Sequence, residues 1–195
     1  FPDGVVNVVT GFGADTGSAL TKHPLVRRIA FTGGGQGAKA VVKNSAENLA
    51  QLSLELGGKS PNIIFDDCDF DEMMKVTMRS SFANQGQICL CGSRIFIERS
   101  LYEPFKEAFV AAVSKSKVSF PQDPEAKLGA VVSKPHMEKI LSYIELAKEE
   151  GGTILCGGKR KILPGAHADG YYIEPTIIEG LHYQCRTNQE EIFGP

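Results

Sequence analysis

Arg28-Ile29-Ala30-Phe31-Thr32-Gly33-Gly34-Gly35-Gln36-Gly37 is the stretch that decides the fold class of this chain. Its first half favours a strand, and its glycine tract predicts a tight turn that leads into a helix. An earlier β-branched run, ended by Gly11, predicts a buried strand of the parallel kind. The predicted order is strand 5–10, helix 15–23, strand 28–32, turn 33–37 and helix 38–49. Alternating strands and helices imply parallel strands, so the chain is predicted to be an α/β protein.

The same alternation continues along the rest of the chain. Leu52, Leu54 and Leu56 alternate with polar residues, which predicts a half-buried strand with Glu55 on the opposite face. The remaining predicted elements are a strand at 62–65, a helix opened by a capping box of Asp69 and Glu72, a strand at 94–98, a helix opened by a capping box of Ser100 and Glu103, a loop at 121–124, a helix with apolar residues from Met137 to Ile144 that ends before Gly151, and strands at 153–156 and 171–178.

Composition excludes several classes of protein. The chain has 195 residues, 42% of them hydrophobic, and a formal net charge of −2, so we expect no nucleic-acid partner. No apolar run approaches the roughly 20 residues of a membrane-spanning helix, so we expect no membrane partner. Five cysteines without framework spacing favour free thiols in a reducing compartment, and we expect a cytoplasmic location. The chain begins at Phe1 and stops at Pro195, which suggests an internal fragment of a longer protein.

Cys89 is the first candidate for chemistry. It lies in a small polar loop, 84–93, between a predicted helix and a predicted strand, and function concentrates in such loops. A cysteine there can act as a nucleophile through its thiolate, although a buried cysteine can also be only a small hydrophobic residue. Cys91 is close in sequence. No histidine or second cysteine pair lies at zinc spacing, so we expect no metal site.

Glu55 is the second candidate. Its carboxylate stands at a predicted strand end where Gly57 breaks the pattern, a position that suits a general base. The alternative is a solvated charge on the polar face of an edge strand.

Glycine-rich and charged segments complete the set of candidates. Residues 31–37 resemble a turn that cradles a phosphate, because glycines let the backbone approach an anion at a helix N-terminus, but such a turn can also be only a tight connection. The run 159–161 is predicted to be a solvated loop, and 190–195 by composition a helix end or loop.

Three motifs in one order carry a resemblance to a known family. Leu54-Glu55-Leu56-Gly57-Gly58-Lys59-Ser60-Pro61, Asn84-Gln85-Gly86-Gln87-Ile88-Cys89 and Glu190-Glu191-Ile192-Phe193-Gly194-Pro195 together resemble the aldehyde dehydrogenase superfamily, and the likeness runs over the entire chain. The resemblance implies that Cys89 is the nucleophile and Glu55 the general base. It gives Cys91 no catalytic role.

The resemblance also implies a domain division and a cofactor site. Residues 1–56 would be the C-terminal part of a Rossmann-like NAD-binding domain, and 57–195 most of an α/β catalytic domain with a parallel sheet. NAD is the expected cofactor, with NADP left open. Gly34 stands where the family commonly has a serine. The implied cofactor-binding residues are Gly11, Thr32, Gly33, Gly34, Leu56, Glu191 and Phe193.

The implied reaction oxidises a small aldehyde to a carboxylic acid through a thiohemiacetal and a thioester on Cys89. Residues 79–91 are similar to the branch that oxidises aminomuconate or hydroxymuconate semialdehydes. The alternatives are a CoA-acylating semialdehyde dehydrogenase, which does not need Glu55, and a non-catalytic protein that retains the fold. We expect a homodimer or homotetramer for the whole protein, and no turnover or measurable NAD affinity for the isolated fragment.

Overall fold

The computed structural model describes residues 1–195, which form two compact units, Phe1–Gly57 and Gly58–Pro195. The first unit contains, in order, a π-helical turn Gly13–Gly17, α1 (Ser18–Lys22), β1 (Arg28–Gly33), α2 (Gly35–Asn44) and β2 (Gln51–Leu56). β1 and β2 pair in parallel, with Arg28 opposite Gln51 and Gly33 opposite Leu56. The predicted strands at 28–32 and 52–56 are therefore confirmed as β1 and β2, and so is their parallel pairing.

The strand predicted at 5–10 is wrong. These residues have no regular secondary structure, and the valine side chains in the run are exposed, with Val8 at 85%. A strand requires a hydrogen-bonding neighbour. In this unit β1 pairs only with β2, so the β-branched run has the composition of a strand without a partner to form one.

Helix α2 is shifted from its prediction at both ends. It begins at Gly35, inside the tract predicted as a turn, with Gly34 as its N-cap, and it ends at Asn44 rather than at residue 49. The chain then turns, because Asn48 Nδ2 donates to the carbonyl of His23 at 2.9 Å and Leu49 adopts a φ of 50°.

The second unit contains six strands, and Arg160–Lys161 is the one that lies outside the strands predicted at 62–65, 94–98, 153–156 and 171–178. Its elements are β3 (Pro61–Ile64), α3 (Phe70–Phe82), a 3₁₀ turn Ala83–Gly86, β4 (Arg94–Ile97), a 3₁₀ turn Arg99–Leu101, α4 (Tyr102–Ser114), α5 (Lys134–Glu149), β5 (Thr153–Cys156), β6 (Arg160–Lys161), a 3₁₀ turn Gly165–His167, β7 (Tyr172–Ile173), β8 (Ile177–Glu179) and α6 (Arg186–Gln189). β3 pairs with β4 in parallel, whereas the pairs β5 with β8 and β6 with β7 are antiparallel and were not predicted.

The apolar faces predicted for the helices form the cores of this unit. One core joins α3, α4 and the β3–β4 pair, and a second lies under α5. The buried members are Ile64, Phe105, Phe109 and Val113 in the first core and Val131, Met137, Ile140, Ile144 and Ile173 in the second. The cap of α3 is confirmed, since the Asp69 carboxylate accepts from the backbone N–H of Glu72 at 2.9 Å.

The predicted cap of α4 is wrong. Leu101 is the N-cap residue and makes no side-chain cap bond, because the 3₁₀ turn before α4 moves Ser100 away from the helix start. The Ser100 hydroxyl instead donates to the Asp66 carboxylate at 3.2 Å.

The strand predicted at 171–178 is two short strands, β7 and β8. Pro175 lies between them, and a proline lacks the N–H that a continuous ladder needs. The run 159–161 is not a solvated loop, since Arg160 and Lys161 form β6. One guanidinium nitrogen of Arg160, Nη2, donates to the carbonyls of Ala168 and Gly170, both at 3.2 Å. The arginine therefore ties β6 to the turn that precedes β7.

The longest helix of the chain, α5, has 16 residues. None of the helices combines the length and the apolar character that a membrane crossing requires.

Candidate active site

Cys89 lies at an exposed turn between α3 and β4. Where α3 ends, the backbone enters the left-handed region at Asn84 (φ 50°) and Gln85 (φ 57°), and again at Gly86 (φ 68°). The N–H of Cys91 then donates to the carbonyl of Ile88 at 3.1 Å, which closes a four-residue turn around Cys89. The side chain of Cys89 is exposed, so the interpretation of this cysteine as a buried hydrophobic residue is wrong.

Cys91, two residues later, has the opposite environment. Its side chain is buried, and burial raises the pKa of the thiol. A raised pKa keeps Cys91 protonated near neutral pH, which makes it a poor nucleophile. The small hydrophobic role weighed for Cys89 therefore belongs to Cys91.

The chain beyond Cys91 is fastened to α3. The N–H of Gly92 donates to the carbonyl of Ser80 at 3.2 Å, and the hydroxyl of Ser81 donates to the carbonyl of Gly92 at 3.3 Å. A Cβ at Gly92 would lie 2.6 Å from the hydroxyl oxygen of Ser80, so the two segments are in direct contact. The loop that carries Cys89 is thus held at its C-terminal side by the last turns of α3.

The segment 190–195 is held by one face of α5 and is not a free loop. His136 Nε2 lies 2.6 Å from the carbonyl oxygen of Phe193, and Lys139 Nζ donates to the carbonyl of Glu191 at 2.9 Å. The hydroxyl of Tyr143 donates to the carboxylate of Glu190. Residues spaced by three and four along a helix share a face, so α5 binds the segment along consecutive turns.

Glu190 also pairs with Arg186 at the start of α6. The guanidinium donates twice to the carboxylate, at 2.9 and 3.0 Å. This pairing, with the Tyr143 hydroxyl, lowers the pKa of Glu190 to about 2, so the carboxylate is ionised at every physiological pH.

Glu191, one of the residues that the resemblance assigns to the cofactor, has its side chain held by the first residue of this unit. Its Oε1 atom accepts from the backbone N–H of Gly58 at 3.2 Å. The neighbouring Lys59 has a pKa lowered to about 8, first because it is buried and then because it lies near Arg94. Glu191 opposes that shift, so Lys59 and Glu191 attract each other when both are charged.

A cavity of about 240 Å³ lies behind the loop. The loop contributes Gly86, Ile88, Cys91, Gly92 and Ser93 to its wall, and most of the remaining lining is apolar. Cys89 does not line it. This cavity is therefore not the space into which the Cys89 side chain is exposed.

Glu55 lies on β2 in the first unit. It is exposed, and it stands in register with Thr32 of β1. Leu52 and Leu54 are half-buried on the other face, so the predicted orientation of Glu55 away from the leucines is confirmed. Cys89 belongs to the second unit, and the pairing of Glu55 with Cys89 remains a prediction.

The glycine tract of the first unit offers an open backbone at the start of α2. A Cβ at Gly34 or Gly35 would meet no atom within 4 Å, whereas a Cβ at Gly33 would lie 2.6 Å from the ring of Phe31. The first N–H groups of a helix have no partner within it. Open space over free N–H groups fits a phosphate, so the residues present fit the pyrophosphate of a dinucleotide.

The other residues assigned to the cofactor in this unit differ in exposure and packing. Thr32 and Leu56 are exposed on their strands. Gly11 has a φ of 153°, and a Cβ there would lie 2.0 Å from the Thr16 hydroxyl oxygen, so glycine is required for packing at this position whatever its role toward a ligand.

Sequence reasoning missed the residues that hold these segments. His136, Lys139 and Tyr143 show only the spacing of an ordinary amphipathic helix, and Gly58 acts through its backbone. Their contacts join residues 47 to 133 positions apart, which no local pattern reports.

Comparison with known proteins gives the family. The sequence model described as the aldehyde dehydrogenase family matches residues 1–195. The 2-aminomuconic semialdehyde dehydrogenase of Mus musculus is 49% identical and aligns with all of this chain, which covers 40% of that protein. The 2-aminomuconic 6-semialdehyde dehydrogenase of a Pseudomonas species is 40% identical, again with full coverage of this chain and 40% of the relative. The chain thus spans about 40% of the length of these relatives.

The solved structures agree. The crystal structure of betaine aldehyde dehydrogenase from Staphylococcus aureus in complex with NAD⁺ superposes on the whole of this chain with a TM-score of 0.93 at 40% identity, and the chain covers 38% of it. The predicted α/β fold of the aldehyde dehydrogenase type and the resemblance drawn from the three motifs are confirmed. Matched by the family model from its first residue to its last, the chain belongs to the aldehyde dehydrogenase family.

Proposed function

We propose that the whole protein oxidises an aldehyde to a carboxylic acid with NAD as the hydride acceptor, with Cys89 as the nucleophile and Glu55 as the general base. Family membership supports aldehyde oxidation. The NAD⁺ bound in the Staphylococcus aureus relative supports the choice of cofactor, and NADP remains the alternative.

One observation carries the assignment of Cys89. Of the two cysteines in the loop, Cys89 is exposed at the tip of its turn, whereas Cys91 is buried and has a raised thiol pKa. A nucleophile must be accessible and must reach its thiolate form. Cys89 is the member of the pair that can meet a substrate.

The chain's own residues account for most of the reaction. The sulfur of Cys89 adds to the carbonyl carbon, and the backbone N–H of Cys89 donates to the oxygen on which negative charge develops. NAD, when bound, supplies the acceptor for the hydride that leaves this carbon. The acyl group then remains on the sulfur as a thioester. Glu55 takes a proton from water, the water attacks the thioester, and the acid and the Cys89 thiol are released.

The cofactor residues follow from the same proposal. Residues 1–56 form part of the NAD-binding domain and 57–195 belong to the catalytic domain. Thr32, Gly33 and Gly34 would hold the pyrophosphate through the open backbone at the start of α2. Gly11 would lie nearer the adenine end of the cofactor, and Leu56 nearer the nicotinamide end. The nicotinamide end would meet two further residues, Glu191 at the ribose and Phe193 beside the ring.

The substrate class that we propose is a muconic-type semialdehyde. The relatives named for 2-aminomuconic semialdehyde, at 40% to 49% identity over the whole chain, support this choice. We also propose a homodimer or homotetramer in the cytoplasm, where five free cysteines would stay reduced.

The nucleophile is tested by two matched substitutions in the whole protein. Cys89→Ser should lower NADH formation from 2-hydroxymuconic semialdehyde by about 10³-fold or more, because a serine hydroxyl is far less ionised than a thiol. Cys91→Ser, the same change two residues away, should keep most of the activity. Turnover retained by Cys89→Ser would overturn the assignment.

The general base is tested separately. Glu55→Gln should give one rapid equivalent of NADH and then a slow rate, because the thioester forms but water is not activated. Added coenzyme A should yield no acyl-CoA in the wild type. Formation of acyl-CoA would instead favour the CoA-acylating reaction.

A further inference from the structure

The turn that precedes Cys89 stores backbone strain. Asn84 and Gln85 are consecutive residues with side chains in the left-handed region, at φ 50° and 57°. Each costs about 1 kcal/mol or more relative to ordinary backbone. Such a turn persists only when neighbouring groups hold it in place.

Two glutamine side chains hold this turn, and both reach the segment that leads into α5. With its amide oriented by its hydrogen-bonding neighbours, Gln85 accepts from the N–H of Gly129 at 2.9 Å. Gln87 Oε1 accepts from the N–H of Val132 at 3.0 Å. Val131 is 3% exposed, so the segment that receives both bonds is anchored in the core under α5.

Gln87 also closes the turn internally. Its backbone N–H donates to the carbonyl of Asn84 at 3.0 Å, and its side-chain Nε2 donates to the same carbonyl at 3.4 Å. The Asn84 side chain returns a bond to the Gln87 carbonyl at 3.1 Å. Gln87 therefore joins the strained turn to the core only two residues before the candidate nucleophile.

We propose that Gln87, with Gln85, is a positioning residue for Cys89. We call these two glutamines, with their hydrogen bonds to Gly129 and Val132, the glutamine clamp. The clamp fixes the direction in which the Cys89 thiol meets the aldehyde. The inference rests on the proposed function for its catalytic consequence. Its structural part, the ordering of the loop, stands on the hydrogen bonds alone. Neither glutamine touches the reacting atoms.

The test compares Gln87→Met with Gln122→Met in the whole protein. Methionine keeps the length of the side chain and removes the amide, and Gln122 is an exposed glutamine in a loop after α4, which makes it a matched control. In Gln87→Met, hydrogen exchange of the peptide that contains Cys89 should be about fivefold to tenfold faster, the effect of losing one hydrogen bond. With NAD and 2-hydroxymuconic semialdehyde, kcat should fall about 10- to 100-fold, because a small misplacement of a reacting group costs this much.

A positioning role has a signature that a structural role lacks. The KM for NAD and the rate of Cys89 alkylation by iodoacetamide should each stay within about twofold, since a small reagent does not need an oriented thiol. The Tm should fall by no more than about 4 °C, the effect of one lost hydrogen bond. Gln87→Asn, which keeps the amide but is one methylene shorter, should behave like Gln87→Met, and it serves if the methionine variant does not fold.

The two proposals fail separately. Unchanged exchange and unchanged kcat in Gln87→Met would overturn the clamp, and so would a kcat that falls only together with a loss of Tm greater than about 4 °C. A wild-type protein that produces no NADH, while Gln87→Met still accelerates exchange at Cys89, would overturn the proposed function and leave the clamp's structural part standing.

Discussion

Gly86 lies directly against the backbone of Gly194. A Cβ built at Gly86 would fall 2.1 Å from the carbonyl oxygen of Gly194, closer than any side chain can approach. The loop that carries Cys89 and the segment that carries Glu191 and Phe193 therefore meet backbone to backbone, although 108 positions separate the two glycines. The two motifs of the second unit form one packed region.

Gly86→Ala should destabilise the protein by about 2–4 kcal/mol. The methyl group would clash with the Gly194 carbonyl, and φ at Gly86 is 68°, which an alanine adopts with strain. Gly17→Ala is the matched control, because a Cβ at Gly17 meets no atom within 4 Å and its φ is −63°. The control should be neutral or stabilising by about 0.5–1 kcal/mol. Denaturant unfolding of both variants measures the difference, and equal stabilities would contradict the packing.

The five free cysteines should react with iodoacetamide in an order set by their environments. Cys89 should be alkylated first because it is exposed, and Cys91 at least about tenfold more slowly because burial both blocks access and raises its pKa. Peptide mass spectrometry over a time course gives the order. Comparable rates at the two positions would show that Cys91 is not buried in solution.

Glu150 should contribute stability that depends on pH. Its carboxylate accepts from the Arg186 N–H at 2.8 Å, the Thr187 N–H at 3.1 Å and the Thr187 hydroxyl at 2.6 Å, which lowers its pKa below the ordinary value of 4.5. A lowered folded-state pKa means that the contribution is complete above about pH 4.5 and is lost as the pH falls through the folded value.

Glu150→Gln should therefore lower the Tm at pH 7, and the difference from wild type should shrink below about pH 4.5. Glu149→Gln, the same change at the preceding exposed residue, should leave the Tm unchanged at every pH. A Tm difference for Glu150→Gln that does not vary between pH 7 and pH 3 would contradict the ionic origin of the effect.

The sequence predicted correctly the elements that form because of residues within or next to the element itself. The strand at 51–56 follows from leucine alternation, and α3 follows from its capping residue and its apolar face. Residues 5–10 show the limit of that reasoning, because a β-branched run becomes a strand only beside a hydrogen-bonding partner. The run 171–178 shows the same limit. It was predicted as one strand, but its two halves pair with different strands, β7 with β6 and β8 with β5.

The sequence by itself determined the family, the fold class and the two candidate catalytic residues, Cys89 and Glu55, because the motifs that carry them are contiguous. Only the tertiary structure decided which cysteine of the loop is exposed, because packing buries Cys91 and leaves Cys89 at the surface. It also decided what holds the loop, namely the hydrogen bonds of the Gln85 and Gln87 side chains. Burial and hydrogen bonding between distant segments depend on packing, and packing brings together residues whose separation along the chain leaves no periodic signal.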